Sequence, residues 1–103
     1  MGFFSSLLGN KSDSKLSEVI QAGAYLVDVR TPAEFAMGSV KGAENIPLDS
    51  IPGQLSKFRG KESIVVFCRS GARSSQAKSL LEHNGIQNVI NGCAWTNVQS
   101  AVK

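Results

Sequence analysis

Cysteine is scarce in this chain: two residues in 103, Cys68 and Cys93. Far apart in sequence, they make neither a Cys-x-x-Cys redox motif nor part of a zinc site, and His83, the only histidine, adds one further ligand. No metal site is therefore expected. Long apolar runs are also missing, so nothing approaches the length of a membrane span and no stable membrane association is expected. No basic segment precedes Phe3, and Ser5 and Ser6 interrupt the first apolar stretch, which argues against a secretory signal and for a cytoplasmic protein. Charge of one sign is not concentrated either. A dispersed net +3 excludes a nucleic-acid footprint and supports at most a weak preference for small anions. What remains is an ordinary composition, 42% hydrophobic, long enough for one core without staples.

The most informative stretch runs from Ile64 to Ser75. Ile64-Val65-Val66-Phe67 is a short apolar, largely β-branched run and reads as a buried strand. Ala77, Leu80 and Leu81 share one face of a following helix, with Ser74 or Ser75 suited to its start. Between them lies a turn holding Cys68, Arg69, Ser70, Gly71, Ala72 and Arg73. In an open α/β sheet, ligands bind between a strand's C-terminal end and the next helix's N-terminus, where unpartnered amides face the turn. A thiol placed there sees positive potential and a lowered pKa, so Cys68 is a candidate nucleophile in its own anion cradle. The plainer alternative is a buried thiol closing a core strand.

The other segments alternate helix and strand. Phe3, Phe4, Leu7 and Leu8 fall on one face of a short N-terminal helix, so residues 1–11 are expected as an amphipathic tail that packs on a single domain over 12–103. Gly2 with Ser6 matches the short pattern for myristoylation, which often arises by chance. Leu16, Val19 and Ile20 mark a helix stopped by Gly23, and Tyr25 to Arg30 a strand. Thr31-Pro32-Ala33-Glu34 is a helix start with a capping box, so Asp28, Arg30 and Glu34 are expected to give structural support through ion pairs and capping. Ile51, Leu55 and Phe58 predict another amphipathic helix, with Pro52 near its start. Val89-Ile90 predicts a last short strand, followed by a helix that Trp95 packs into the core. His83 lies near the far end of the helix after Cys68, roughly 15 Å away at ~1.5 Å per residue, which argues against a Cys–His pair. Cys93 is expected as a small buried filler, the alternative being a resolving thiol near Cys68.

The run Cys68-Arg69-Ser70-Gly71-Ala72-Arg73-Ser74 resembles the active-site loop of rhodanese-like sulfurtransferases, which commonly read Cys-Arg-Ser-Gly-x-Arg-Ser. Leu26 to Phe35 is similar to the Asp-Val-Arg…Glu-Phe signature of that family, and Gly38 to Pro47 to its Gly-His-Ile-x-Gly-Ala-x-Asn-Ile-Pro. Ser39 stands where the family usually has histidine, and Cys93 where a second glycine often precedes the tryptophan. The resemblance implies a three-layer α/β domain with a mainly parallel five-stranded sheet flanked by helices. It implies sulfur transfer through a Cys68 persulfide without any metal or organic cofactor, with a small anionic donor such as thiosulfate drawn in by Arg69 and Arg73, and with a thiol or protein acceptor. A persulfide carrier or binding module shares the same loop. A Cdc25-like cysteine phosphatase or arsenate reductase would need Cys-x5-Arg, and Cys68 to Arg73 is one residue shorter.

Overall fold

The computed structural model describes residues 15–102. The expected amphipathic tail over residues 1–11 lies outside them. A helix over 15–21, α1, leads into β1 (Tyr25–Asp28), α2 (Pro32–Ala36) and β2 (Glu44–Asn45). A 3₁₀ segment (Leu48–Lys57) follows, then β3 (Ile64–Cys68), α3 (Ala72–His83), β4 (Val89–Ala94) and α4 (Trp95–Val102). The strands form one all-parallel sheet in the order β2-β1-β3-β4. Among the described residues it has four strands where five were expected. The expectation of a fifth strand came only with the family resemblance.

Strand β3 shows why the sheet is central. All five of its residues are buried. Side chains alternate across a strand, and here Ile64, Val66 and Cys68 join one apolar cluster while Val65 and Phe67 join another. The first cluster is closed by Ile51 and Phe58 of the 3₁₀ region and by Ala77 and Leu81 of α3. The second is closed by Leu16 of α1 and Val98 of α4. A strand coated on both faces must be apolar throughout, which is the signature of a parallel sheet between helical layers.

Two elements differ from expectation. The segment around Ile51 is 3₁₀ rather than α-helical and kinks at Gln54 (φ −132°, ψ 30°), because Pro52 and Gly53 interrupt regular helical bonding. It still buries Ile51 and Phe58. The last strand runs four residues past Ile90, to Ala94, and carries a bulge. Val66 faces Asn91 while Phe67 faces Cys93, so Gly92 is an extra residue in the strand. A Cβ at Gly92 would stand 2.6 Å from Val98 Cγ2 and 3.0 Å from Val65 Cγ1. Gly92→Ala is therefore expected to destabilise the protein by about 1–3 kcal/mol. An unchanged urea midpoint would show that the β4–α4 contact can relax.

Candidate active site

The chain leaves β1 toward β2 on one side of the sheet and later adds β3 and β4 on the other. The strand order thus reverses between β1 and β3, and at the C-terminal ends of these strands a crevice is expected. Cys68 ends β3 there, and Asp28, paired with Phe67, ends β1.

Gly71 caps α3 at φ 109°, a left-handed conformation that glycine adopts without strain. This turn directs main-chain donors at the sulfur: the Gly71 amide lies 3.0 Å from Cys68 Sγ and the Ser74 amide 3.4 Å. The Cys68 thiol itself lies 3.5 Å from Ser74 Oγ. α3 begins at Ala72, earlier than a serine cap would set it, so Ser74 sits in the first turn, fully buried, with its hydroxyl turned to the site. Burial is the largest influence on Cys68 and pushes the thiol up. Once the thiol is ionised, the Ser74 hydroxyl and the amides of Ser74, Gly71 and Ser70 can all donate to the sulfur and together outweigh burial, leaving the thiol below its ordinary value. More of it is thiolate near neutral pH than of a free cysteine. At 1% exposure the sulfur is shielded, so a small reagent has to enter the loop to reach it.

Of the two loop arginines, Arg73 is engaged. Its guanidinium grips Glu34 with two bonds, Nη1 to Oε1 at 2.7 Å and Nη2 to Oε2 at 3.1 Å. Glu34 also accepts from the Thr31 amide at 3.0 Å while Thr31 Oγ1 accepts from the Glu34 amide, closing the capping box of α2. Arg73 therefore ties the cysteine loop to α2. Arg69 is exposed and makes no ion pair among the described residues, which leaves its charge available to an incoming anion. Ser70 and Ala72 are also exposed on the loop.

Bonds from Arg73, then from the Thr31 amide, hold the Glu34 carboxyl down to about 2 from an ordinary 4.5. A depressed carboxylate adds stability above its ordinary pKa and loses it as pH falls toward the folded value. Glu34→Gln should thus flatten the loss of stability between about pH 4.5 and 2, measured as urea midpoint against pH. An acid limb identical to that of the unaltered protein would contradict this role.

Beneath the loop lies a buried ion pair. Asp28 is fully buried and accepts from Arg30 Nη2 at 2.7 Å, from Arg30 Nε and from the Arg30 amide, both at 3.0 Å. Arg30 Nη2 also donates to the Gly38 carbonyl at 2.7 Å, and its guanidinium lies 5.1 Å from the Trp95 ring centre. Ser39 completes the set, its hydroxyl donating to Asp28 Oδ2 at 2.7 Å. The family's histidine is thus replaced by a short donor that satisfies a buried carboxylate.

Cys93 is not the buried filler expected of it: it is exposed, with φ 67°, and its Sγ lies 3.8 Å from where a Cβ on Gly71 would stand. The bulge at Gly92 turns it out of the sheet pattern and against the cysteine loop. Gly71 therefore borders both sulfurs, which the intervening bond lengths place no more than about 10 Å apart. Both thiols are free. His83 is exposed at the end of α3, its Nδ1 3.0 Å from the Ser79 carbonyl. No group of three or more acidic, cysteine or histidine side chains among the described residues is arranged to hold a metal ion. No described helix is long and apolar enough to cross a membrane.

Sequence reasoning missed Asn91. Its Oδ1 accepts from Ser74 Oγ at 2.6 Å and from the Cys93 amide at 2.9 Å. The available signal was Asn91-Gly92 at a strand end, since asparagine side chains commonly bond the main chain two residues on.

The model of the rhodanese-like domain family matches residues 12–93. A sulfurtransferase of Allochromatium vinosum is 44% identical over 66 residues, covering 64% of this chain and 62% of that protein, so the chain spans less than two thirds of this relative. The Escherichia coli thiosulfate sulfurtransferase PspE is 32% identical over 72 residues, covering 68% of this chain and 69% of PspE. The crystal structure of a rhodanese-like domain protein from Staphylococcus aureus superposes with a TM-score of 0.67 at 37% identity, covering 74% of each chain. The matched span takes in α1, the Asp28–Arg30 corner, the Cys68 loop and the β4 bulge, and the chain accordingly belongs to the rhodanese-like domain family.

Proposed function

We propose that this protein is a sulfurtransferase that moves a sulfane sulfur from thiosulfate, or a similar small anionic donor, to a thiophilic acceptor through a Cys68 persulfide. The observation that carries the reading is the Cys68 sulfur held under the amides of Gly71 and Ser74 at 3.0 and 3.4 Å. The naming of PspE as a thiosulfate sulfurtransferase supports the choice of donor.

In the first half-reaction the Cys68 thiolate attacks the outer sulfur of thiosulfate. The donor's sulfur–sulfur bond breaks, its electron pair leaves with sulfite, and the outer sulfur stays on Cys68. In the second, an acceptor nucleophile attacks that outer sulfur and the Cys68 thiolate departs. Each state of the loop is anionic, so the fixed amides of Gly71 and Ser74 around one sulfur serve both steps. Arg69 attracts the donor dianion, and Arg73 keeps the loop in shape through Glu34. Cyanide is the simplest acceptor for an assay, and a thiol or a protein thiol the class expected in a cell. Cys93 is an internal competitor: its attack on the inner sulfur of the persulfide would give a Cys68–Cys93 disulfide and release hydrosulfide.

The test is steady-state formation of thiocyanate from thiosulfate and cyanide. Saturable turnover dependent on Cys68 supports the enzyme. Loading of one sulfur without turnover would instead support a carrier that hands sulfur to one protein partner.

A further inference from the structure

The hydrogen positions around Ser74 follow from the donors. The Cys93 amide can only donate, so the Asn91 atom 2.9 Å from it is the carbonyl oxygen. Ser74 Oγ lies 2.6 Å from that same oxygen and must donate to it, since two acceptors would not be held that close. The Gly71 carbonyl, 3.1 Å from Ser74 Oγ, is the weaker alternative for the same hydrogen. A serine hydroxyl has one hydrogen. Pointed at Asn91, it leaves only a lone pair toward the Cys68 sulfur 3.5 Å away, an arrangement that suits a protonated thiol donating to Ser74. For the hydroxyl to stabilise a thiolate, it must turn from Asn91 to the sulfur.

We propose that Asn91 is a positioning residue that acts on Cys68 through Ser74, competing with the sulfur for the serine's only hydroxyl hydrogen and so keeping the thiol protonated to higher pH than the loop alone would set. The inference rests on Cys68 being the nucleophile. The hydrogen bonds of the Asn91 side-chain oxygen go to Ser74 and the Cys93 amide. The charged and titratable groups around the sulfur are Arg69 on the loop, Arg73 of α3 with Glu34 of α2, Asp28 with Arg30 at the end of β1, and Cys93 on β4. The variants at Asn91 and Ser74 leave the charged groups in place, and Cys93 is replaced equally in all of them.

The experiment follows the alkylation rate of Cys68 by iodoacetamide against pH, with Cys93→Ser as the background so that one thiol reacts. Asn91→Ala, and the size-matched Asn91→Leu in case the bulge needs filling, are compared with Ser74→Ala and with the Asn91→Ala/Ser74→Ala pair. Freeing the hydroxyl should lower the midpoint by about one pH unit, the scale of a hydrogen bond to a charged group. In the Ser74→Ala background the Asn91 substitution should no longer move it. An unmoved midpoint in both Asn91 variants overturns the inference, as does an equal shift with and without Ser74. Alkylation reads the thiol and not sulfur transfer. Turnover surviving Cys68→Ser would therefore sink the Cys68 persulfide while leaving these titrations distinguishable from it.

Discussion

Cys68→Ser is expected to lower thiocyanate formation by roughly 10⁴-fold or more, to background, while the protein stays folded. Removing a covalent nucleophile leaves only binding and charge stabilisation, and losses of this order follow. The fold should tolerate the change because the serine hydroxyl is smaller than the thiol and meets the same donors, the amides of Gly71 and Ser74. The urea midpoint should therefore move by no more than about 1 kcal/mol equivalent. Wild-type turnover in this variant would contradict the assignment of Cys68. Unfolding would show instead that the cradle depends on sulfur to fill it.

The largest effect on stability is expected at the buried pair beneath the loop. Arg30→Ala removes the cationic partner of Asp28, a carboxylate with no exposure, and also the donor to the Gly38 carbonyl and the cation over Trp95. Ser39 and the Arg30 main-chain amide would still bond the carboxylate, but its charge would be uncompensated. Breaking a buried pair by deleting one partner costs about 3–5 kcal/mol, a large share of the 5–15 kcal/mol typical of a domain. Urea unfolding at constant m-value measures it. A loss under about 1 kcal/mol would mean that Ser39 and water satisfy Asp28 without Arg30.

The sequence made part of this arrangement legible and left part hidden, for physical reasons. Cys68 was read one residue beyond its strand and in fact ends β3, at the junction with α3 that an apolar β-branched run and a helical pattern bracket. The helical layers were legible for the same reason, since Ile51, Phe58, Ala77 and Leu81 fall where the periodicity put apolar contacts. Cys93 was misread because residue type argued for burial, while its exposure follows from one extra residue in β4, whose register depends on Gly92 packing against Val98. The pairing of Arg73 with Glu34 joins residues 39 positions apart, beyond the reach of local patterns. Ser39 looked like a departure from a family pattern and proved to be a donor to Asp28, visible only once β1 and the loop after α2 are side by side.

The central claim is that sulfur resides on Cys68 between two half-reactions. It is tested most directly by the intact mass of the protein after excess thiosulfate without reductant, compared with Cys68→Ser. The account predicts a gain of one sulfur atom, removed by cyanide and absent from the variant. A gain of the same size in Cys68→Ser, or no gain in the wild type with thiosulfate or a thiol persulfide as donor, would contradict it.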